Sequence, residues 1–198
     1  MTTPLPSFPR LTDDELRITY PALFAPHRWG NIDLVGFHVR PAWPPLERVQ
    51  SVNVVPFVGA ECLLILDDRG SFQLPGGTRE EGESLEETGR RELMEEVGVT
   101  FAACHPFGWF DCHSHDPQPW RPFLAHPDFT RALAWADVER IGQPTNPEDA
   151  EQIAEVRAVS VEEAARALRR GGRAELADIY RLAAFMRDRT GSTEASLA

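Results

Sequence analysis

Residues 77–99 read GTREEGESLEETGRRELMEEVGV and carry much of the negative charge of this 198-residue chain. The stretch contains eight glutamates and three arginines, so its net charge of −5 is close to half of the chain's −11. Ser84 and Glu87 have the spacing of an N-terminal capping box, and Gly98 is a typical C-terminal stop, so a helix is predicted over residues 84–97. One face of that helix is predicted to be buried, because small or apolar residues recur on it every four positions: Leu85, Gly89, Leu93 and Val97.

Three glutamates of this helix are predicted to share a second face. Glu92, Glu95 and Glu96 stand at i, i+3 and i+4, positions whose Cβ atoms lie about 5–6 Å apart on a helix. Carboxylates that close repel one another unless a positive group lies between them. Mg²⁺ and Mn²⁺ prefer carboxylate oxygens and accept phosphate oxygens in their remaining positions. The spacing therefore predicts a divalent-cation site, with Arg91 beside it to hold and orient a carboxylate.

The same stretch resembles the signature of the Nudix hydrolases. That signature runs Gly, five residues, Glu, seven residues, then Arg-Glu-apolar-any-Glu-Glu-any-Gly-apolar. The resemblance covers roughly residues 45–170 and departs from the family only at Thr88 and Gly89, where relatives usually have small apolar residues. The positions that match the signature are Gly77, Glu83, Arg91, Glu92, Leu93, Glu95, Glu96, Gly98 and Val99.

The resemblance implies a pyrophosphohydrolase that depends on Mg²⁺ (or Mn²⁺) and cleaves a nucleoside diphosphate linked to another moiety. ADP-ribose-like or sugar-nucleotide substrates and nucleoside triphosphates both stay open. It implies that Glu83 pairs with Arg91 and that the two orient the metal ligands. Those ligands would be the carbonyl of Gly77 and the carboxylates of Glu92, Glu95 and Glu96. The alternative is a nucleotide-sensing Nudix module that binds without hydrolysis, which the intact signature disfavours.

A general base is expected outside the signature as well, because Nudix relatives often use a glutamate ahead of their last strand. Residues 145–159, TNPEDAEQIAEVRAV, offer Glu148, Glu151 and Glu155 at this place. We favour Glu151 or Glu155 as the base or as an extra metal ligand. The alternative for each is a solvated surface carboxylate.

The long, proline-rich segment 116–128, DPQPWRPFLAHPD, is expected to line the substrate cleft. Its side chains that can stack on a base or bind a phosphate are Trp120, Arg121, Phe123 and His126. The alternative for aromatic residues such as Phe123 is a place in the core. Just before it, Cys112, His113 and His115 resemble soft-metal ligands, but their spacing lacks the paired pattern of a zinc site, and a polar cleft lining is favoured.

Strand-like segments around one central helix, followed by two amphipathic helices, predict an α/β fold. Together with the resemblance they predict a Nudix-like α/β/α sandwich, in which helices cover both faces of a mixed sheet. The expected divisions are an N-terminal arm over residues 1–31 with one short helix capped by Thr12, the catalytic domain over 32–190, and a flexible tail over 191–198. The apolar content of the arm, with Phe24 and Trp29, suggests packing against a second copy as a possible homodimer.

Composition limits the partners of this chain. A sequence pI near 5.0 argues against long nucleic acid, so the expected partner is a small nucleotide-type diphosphate. No apolar run approaches the roughly 20 residues that cross a bilayer, and the first residues lack the layout of a signal peptide, so a cytoplasmic protein is expected. Three cysteines are too few for a disulfide framework, so reduced thiols are expected.

Overall fold

The computed structural model describes residues 11–145 and 152–194. Its helices are α1 (Asp13–Thr19), α2 (Pro21–Phe24), α3 (Leu85–Val97), α4 (Val161–Arg170) and α5 (Ala174–Glu194). Its strands are β1 (His27–Trp29), β2 (Ile32–Val39), β3 (Val49–Val58), β4 (Glu61–Asp67), β5 (Phe72–Gln73), β6 (Gly76–Thr78), β7 (Val99–Thr100), β8 (His105–Ser114), β9 (Asp128–Asp137), β10 (Glu139–Arg140) and β11 (Ile153–Val159). No helix in these described ranges has the length and apolar character that a membrane crossing requires.

Most strands join one large sheet in the order β1-β2-β8-β9-β3-β4-β11, with β5 paired to β4 and β6 paired to β3. Strands β3 and β9 run parallel, whereas the other neighbouring pairs of this sheet are antiparallel. Strands β7 and β10 form a separate small pair. The predicted mixed sheet is therefore confirmed.

Helices cover both faces of this sheet, because successive strand residues point to opposite sides. Val52 and Val54 of β3 belong to the core beneath α3, together with Ala132 and Ala134 of β9. Neighbouring residues of the same two strands point to the other side of the sheet and belong to a second core. Helices α1, α2, α4 and α5 complete this core, and Tyr180 is fully buried in it. The predicted α/β/α arrangement is thus confirmed.

Helix α3 forms as its sequence predicts. Ser84 and Glu87 make both hydrogen bonds of the capping box, and Gly98 ends the helix in the left-handed conformation at φ 72°. A Cβ atom at Gly89 would lie 3.0 Å from Val54 Cγ2, so glycine allows the helix to approach β3 closely. This packing accounts for one of the two departures from the family signature.

Two stretches that each have the sequence signal of a single strand are divided in the structure, residues 99–112 (VTFAACHPFGWFDC) and residues 71–77 (SFQLPGG). The strand signal over residues 99–112 separates into β7 and β8, with residues 101–104 outside either strand. The signal over residues 71–77 separates into β5 and β6 at Leu74 and Pro75, where proline has no N–H to donate to a ladder. The Pro75 carbonyl still accepts a hydrogen bond from the Val54 N–H at 3.0 Å.

The described part of the N-terminal arm packs onto the rest of the chain. Thr12 caps α1 through a complete capping box, as expected. Leu16, Tyr20 and Leu23 are buried in the same core as α5, and β1 extends the sheet through β2. At the other end, α5 continues to Glu194, beyond the start of the predicted tail. Residues 1–10 and 195–198 lie outside the described part of the chain.

Candidate active site

Strand β6 brings glycine backbone against the glutamates of α3. Gly76 and Thr78 pair with Asn53 and Ser51 of β3, so β6 is anchored to the central sheet. A Cβ atom at Gly77 would lie only 2.4 Å from the nearest carboxylate oxygen of Glu92. Only glycine therefore allows the backbone and this carboxylate to approach so closely.

Arg91 is the centre of the polar network between β6 and α3. Its Nε and Nη2 donate to the two oxygens of Glu83 at 2.8 and 3.2 Å, which is a bidentate pair. Its Nη1 donates to Glu92 Oε1 at 2.8 Å and to Glu95 Oε2 at 3.3 Å, and Nη2 also donates to the Thr78 carbonyl at 3.0 Å. All five donors of this guanidinium are engaged, so its orientation and that of its partners are set together.

Glu83 is held by more than its arginine partner. Its Oε2 also accepts hydrogen bonds from the Glu80 N–H and from the Thr88 hydroxyl, both at 2.9 Å. Burial alone would raise the pKa of Glu83, but these bonds and the pairing with Arg91 lower it below its ordinary value. Thr88, the second departure from the family signature, thus supports the residue that orients Arg91.

Two glutamates of the cluster are almost completely buried. Glu92 and Glu96 are 7% and 5% exposed, and Glu96 Oε2 accepts a hydrogen bond from the Gly76 N–H at 2.8 Å. Burial raises the pKa of Glu92, although Arg91 opposes that effect. Carboxylates held together in this way interact favourably with a cation, because a cation offsets both the burial and their mutual repulsion.

The donor set suits a hard divalent cation, since it consists of carboxylate oxygens next to a glycine backbone. In the described ranges, however, no three acidic, histidine or cysteine side chains are gathered closely enough to form a ready metal site. The oxygens of Glu92, Glu95 and Glu96 instead accept hydrogen bonds from Arg91 and Gly76. The metal-binding role of the glutamates therefore stays a prediction.

The residues predicted to bind substrate have different surroundings in the structure. Trp120, which is 80% exposed, and His126 line a recess together with Thr78 of β6. Arg121 instead forms an ion pair with Glu80 at 3.6 Å. Phe123 is half-buried, with the guanidinium of Arg79 5.2 Å from its ring centroid.

The glutamates predicted as general base have different positions. Glu155 lies on the edge strand β11, where its two oxygens accept from Arg157 Nε and Nη2, both at 2.7 Å. This pairing lowers the pKa of Glu155. Glu148 and Glu151 lie outside the described residues, so the structure does not bear on them.

The histidines that follow Cys112 bind acidic side chains. His113 contacts Asp128 at 2.8 Å and His115 contacts Asp33 at 2.6 Å, while Cys112 is buried on the other face of β8. All three cysteines of the chain are buried and free. Burial raises the pKa of each thiol to about 12, as expected for unreactive reduced cysteines.

Several polar residues near β6 were missed by the sequence analysis. Ser51 and Asn53 of β3 are buried beside Arg131 of β9, because parallel pairing places Ser51 opposite Arg131. The available signal was an arginine within the otherwise apolar stretch of β9 (Asp128–Asp137). A charged residue in a central strand requires a polar partner or a ligand.

Comparisons with known proteins identify the family of this chain. A family model described as the NUDIX domain matches residues 47–182. A search of the curated proteins found no match. The chain therefore belongs to the NUDIX domain family, and with its complete signature it is a hydrolase of the Nudix kind that acts on pyrophosphate bonds.

Solved structures similar to the chain include a Bacillus subtilis pyrophosphohydrolase, BsRppH, in mutant form. It has a TM-score of 0.48 and 18% identity, over 62% of this chain and 70% of that one. A MutT structure from work on Aliivibrio salmonicida and Vibrio cholerae has a TM-score of 0.42 and 24% identity, over 61% and 85%. A Nudix hydrolase from Nitrosomonas europaea has a TM-score of 0.45 and 21% identity, over 61% and 78%. Likenesses this distant do not assign a substrate.

Proposed function

We propose that this Nudix hydrolase cleaves a nucleoside diphosphate linked to another moiety, with Mg²⁺ or Mn²⁺ as cofactor. The observation that carries the proposal is the network in which Arg91 binds Glu83, Glu92 and Glu95 next to the glycine backbone of β6. ADP-ribose-like or sugar-nucleotide substrates and nucleoside triphosphates are the candidate substrates, and the cytoplasm is the expected compartment.

Glu92, Glu95, Glu96 and the carbonyl of Gly77 are the groups that would hold the cation. A bound divalent cation neutralises the charge of the diphosphate and lowers the pKa of water. The chain itself positions the ligands, because Arg91 fixes Glu92 and Glu95 through one guanidinium nitrogen.

The remaining carboxylates of the site have supporting roles in this proposal. Glu83, held bidentately, keeps Arg91 in its orientation and does not touch the substrate. Glu151 or Glu155 takes the proton from the attacking water. For Glu155 this requires release from Arg157, because a carboxylate with a lowered pKa accepts a proton less readily.

The proposal is tested by measuring product release from ADP-ribose, a sugar nucleotide, a dinucleotide, coenzyme A and the nucleoside triphosphates, each with Mg²⁺ and with Mn²⁺. Glu96→Gln is expected to lower the turnover of the best substrate by about 10²- to 10³-fold, the scale for losing one group that stabilises charge in the transition state. The fold is expected to remain, because a glutamine oxygen can still accept from the Gly76 N–H.

Glu86→Gln is the matched control, since Glu86 lies on the same helix, has a side chain that is 44% exposed, and pairs with Arg90 at 3.0 Å. It is expected to keep full activity. Near-native turnover in Glu96→Gln would refute the assignment of the ligand. If the wild-type chain binds one of these nucleotides tightly but hydrolyses none, it is a sensing module and not an enzyme.

A further inference from the structure

A polar cleft lies on the face of the sheet opposite α3. We call it the Arg131 cleft, and it consists of two recesses that share Arg131. Trp29, Asn53 and Arg173 line one recess, and Ser51 and His126 line the other. Strand alternation places Arg131 on this face, because its neighbour Ala132 belongs to the core beneath α3.

Buried polar atoms without a hydrogen-bond partner are concentrated in this cleft. Four such side-chain atoms occur in the described residues, and all four belong to residues that line it. They are Ser51 Oγ, Asn53 Oδ1, His126 Nδ1 and Arg131 Nε. An unpaired buried polar group costs about 1–3 kcal/mol, so a cleft that gathers four of them is built to receive a polar ligand.

Within the described part of the chain Arg131 also lacks a counter-charge, because Asp116, the carboxylate that lines the same recess, accepts hydrogen bonds from Asn31 and Ser114 and forms no ion pair with Arg131. Two neighbouring arginines have carboxylate partners, since Arg28 pairs with Asp33 at 2.8 Å and Arg173 pairs with Glu175 at 2.7 Å. Arg131 forms no ion pair with any residue that the structure describes. Its guanidinium lies 4.9 Å from the Trp29 ring centroid. Burial lowers its pKa, and the nearby charge of Arg173 adds to that effect.

The orphaned atoms specify the chemistry of the missing partner. Arg131 Nε is a donor on a cation, so an anionic acceptor would both accept its hydrogen bond and balance its charge, and a guanidinium suits phosphate oxygens. Asn53 Oδ1 is an acceptor, so it requires a donor such as a hydroxyl group. A phosphate esterified on both sides, as in the interior of a diphosphate, carries no O–H donor for Asn53, and a neutral sugar alone leaves Arg131 without an anion. A sugar phosphate satisfies both.

The cleft adjoins the glutamate cluster through strand β6. Gly76 lines the recess with Asn53, and its N–H donates to Glu96 Oε2 at 2.8 Å. Thr78 lines the recess with Ser51, and its carbonyl accepts from Arg91 at 3.0 Å. A substrate in the cleft therefore lies next to the carboxylates across a single short strand.

On the basis of the proposed function, we propose that Arg131 binds a phosphate oxygen of the substrate, while Ser51 and Asn53 bind hydroxyl groups of the attached sugar. Arg131 is then a specificity-determining residue of the hydrolase. The residue selects a substrate half that carries both a sugar and a phosphate.

The first test measures binding of ribose 5-phosphate to the full chain by calorimetry, with a chelator present so that the glutamate cluster holds no cation. Wild-type protein is expected to bind this probe, and Arg131→Gln is expected to weaken binding by about tenfold to hundredfold. Ribose, which lacks the anionic group, is expected to bind weakly and equally to both proteins. The matched control Arg140→Gln, at an exposed arginine of β10, should bind like wild type.

A second readout excludes a purely structural role for Arg131. The melting temperature of ligand-free Arg131→Gln is expected to equal or exceed that of wild type, because a partly buried charge without an ion-pair partner has been removed. Arg131→Lys, which keeps the charge but loses the planar fork, is expected to bind the probe with intermediate affinity. A large fall in melting temperature with unchanged binding in Arg131→Lys would overturn the proposal.

Other results would also overturn it. The proposal fails if wild type does not bind ribose 5-phosphate at millimolar concentration, or if Arg131→Gln binds it as tightly as wild type does. A failure of this proposal can be distinguished from a failure of the proposed function. Binding that depends on Arg131, without hydrolysis of any substrate, would refute the proposed function alone. Hydrolysis with an unchanged KM in Arg131→Gln refutes the role of Arg131 alone.

Discussion

The network around Arg91 and the cleft around Arg131 lie on the two sides of strand β6, and each is organised by one arginine. Arg91 donates five hydrogen bonds to groups of its own chain, and its partner Glu83 accepts two more, from the Glu80 N–H and the Thr88 hydroxyl. Arg131 leaves its Nε unpaired, next to the unpaired Ser51 Oγ and Asn53 Oδ1. The difference indicates two tasks: a completed network holds catalytic groups in place, whereas an incomplete one is completed by its ligand.

The largest effect is expected from breaking the completed network. Arg91→Ala leaves the partly buried Glu83 and the almost completely buried Glu92 without their counter-charge. The free energy of unfolding should therefore fall by about 2–4 kcal/mol, slightly less than for a fully buried ion pair. Hydrolysis should be lost as well. Denaturant unfolding and the activity panel measure the two effects.

Arg90→Ala is the control on the adjacent residue. Arg90 pairs with the half-exposed Glu86 and lies 4.5 Å from the Phe101 ring centroid, so its removal should cost at most about 1 kcal/mol. If the two variants lost equal stability, the Arg91 network would be no stronger than a surface ion pair, and the contrast with the Arg131 cleft would disappear.

A second change separates positioning from stability. Gly77→Ala places a methyl group against the Glu92 carboxylate, which is the movable end of its side chain. The free energy of unfolding should therefore change by less than about 1 kcal/mol. Turnover should fall by about tenfold to hundredfold, because a displacement near 1 Å at a catalytic group has effects on this scale.

Gly142→Ala provides the comparison for Gly77→Ala. A Cβ atom there meets no atom within 4 Å, so both activity and stability should stay at wild-type values. Full activity in Gly77→Ala, measured side by side with this control, would show that the close approach of β6 to Glu92 has no catalytic purpose.

The smallest effect concerns a residue that supports the Arg131 cleft. Asp67 accepts hydrogen bonds from the Ser71 N–H at 2.7 Å and from Gln73 Nε2 at 3.1 Å, and Gln73 in turn accepts from Arg173. Burial would raise the pKa of Asp67, but these bonds lower it below its unfolded value of 3.8. Asp67→Asn is expected to cost about 1–2 kcal/mol at pH 7.

This cost has a defined pH dependence. Because the folded pKa is depressed, the stabilisation is fully present above the unfolded value and is lost as the pH falls through the folded one. The difference between wild type and Asp67→Asn in urea unfolding should thus narrow below about pH 4. The exposed neighbour Asp68 supplies the control, since Asp68→Asn should have no effect at either pH. A difference independent of pH would rule out the charge as its cause.

Much of the fold and of the glutamate cluster could be predicted because the signals are local. The capping box of Ser84 and Glu87, the stop at Gly98 and the shared face of Glu92, Glu95 and Glu96 all depend on residues within one helix. The stretches IDLVGFHV and VQSVNVVPFV predict strands and VEEAARALRR predicts a helix, and they form β2, β3 and α4 over the same residues because their apolar patterns are uninterrupted. The sequence of residues 71–77 does not reveal that this stretch forms two strands, because the division depends on tertiary pairing: β5 pairs with β4, and β6 pairs with β3.

The amino-acid sequence by itself determined the helix that carries the glutamates, the family to which the chain belongs and the glycine beside the carboxylates. Only the tertiary structure decided the Arg131 cleft, because Ser51 and Arg131 are 80 positions apart in the chain and meet only through the parallel pairing of β3 and β9. Interactions within one helix repeat at a fixed spacing, so a single sequence reveals them. The pairing of distant strands depends on the whole sheet, and so does the polar site that it creates.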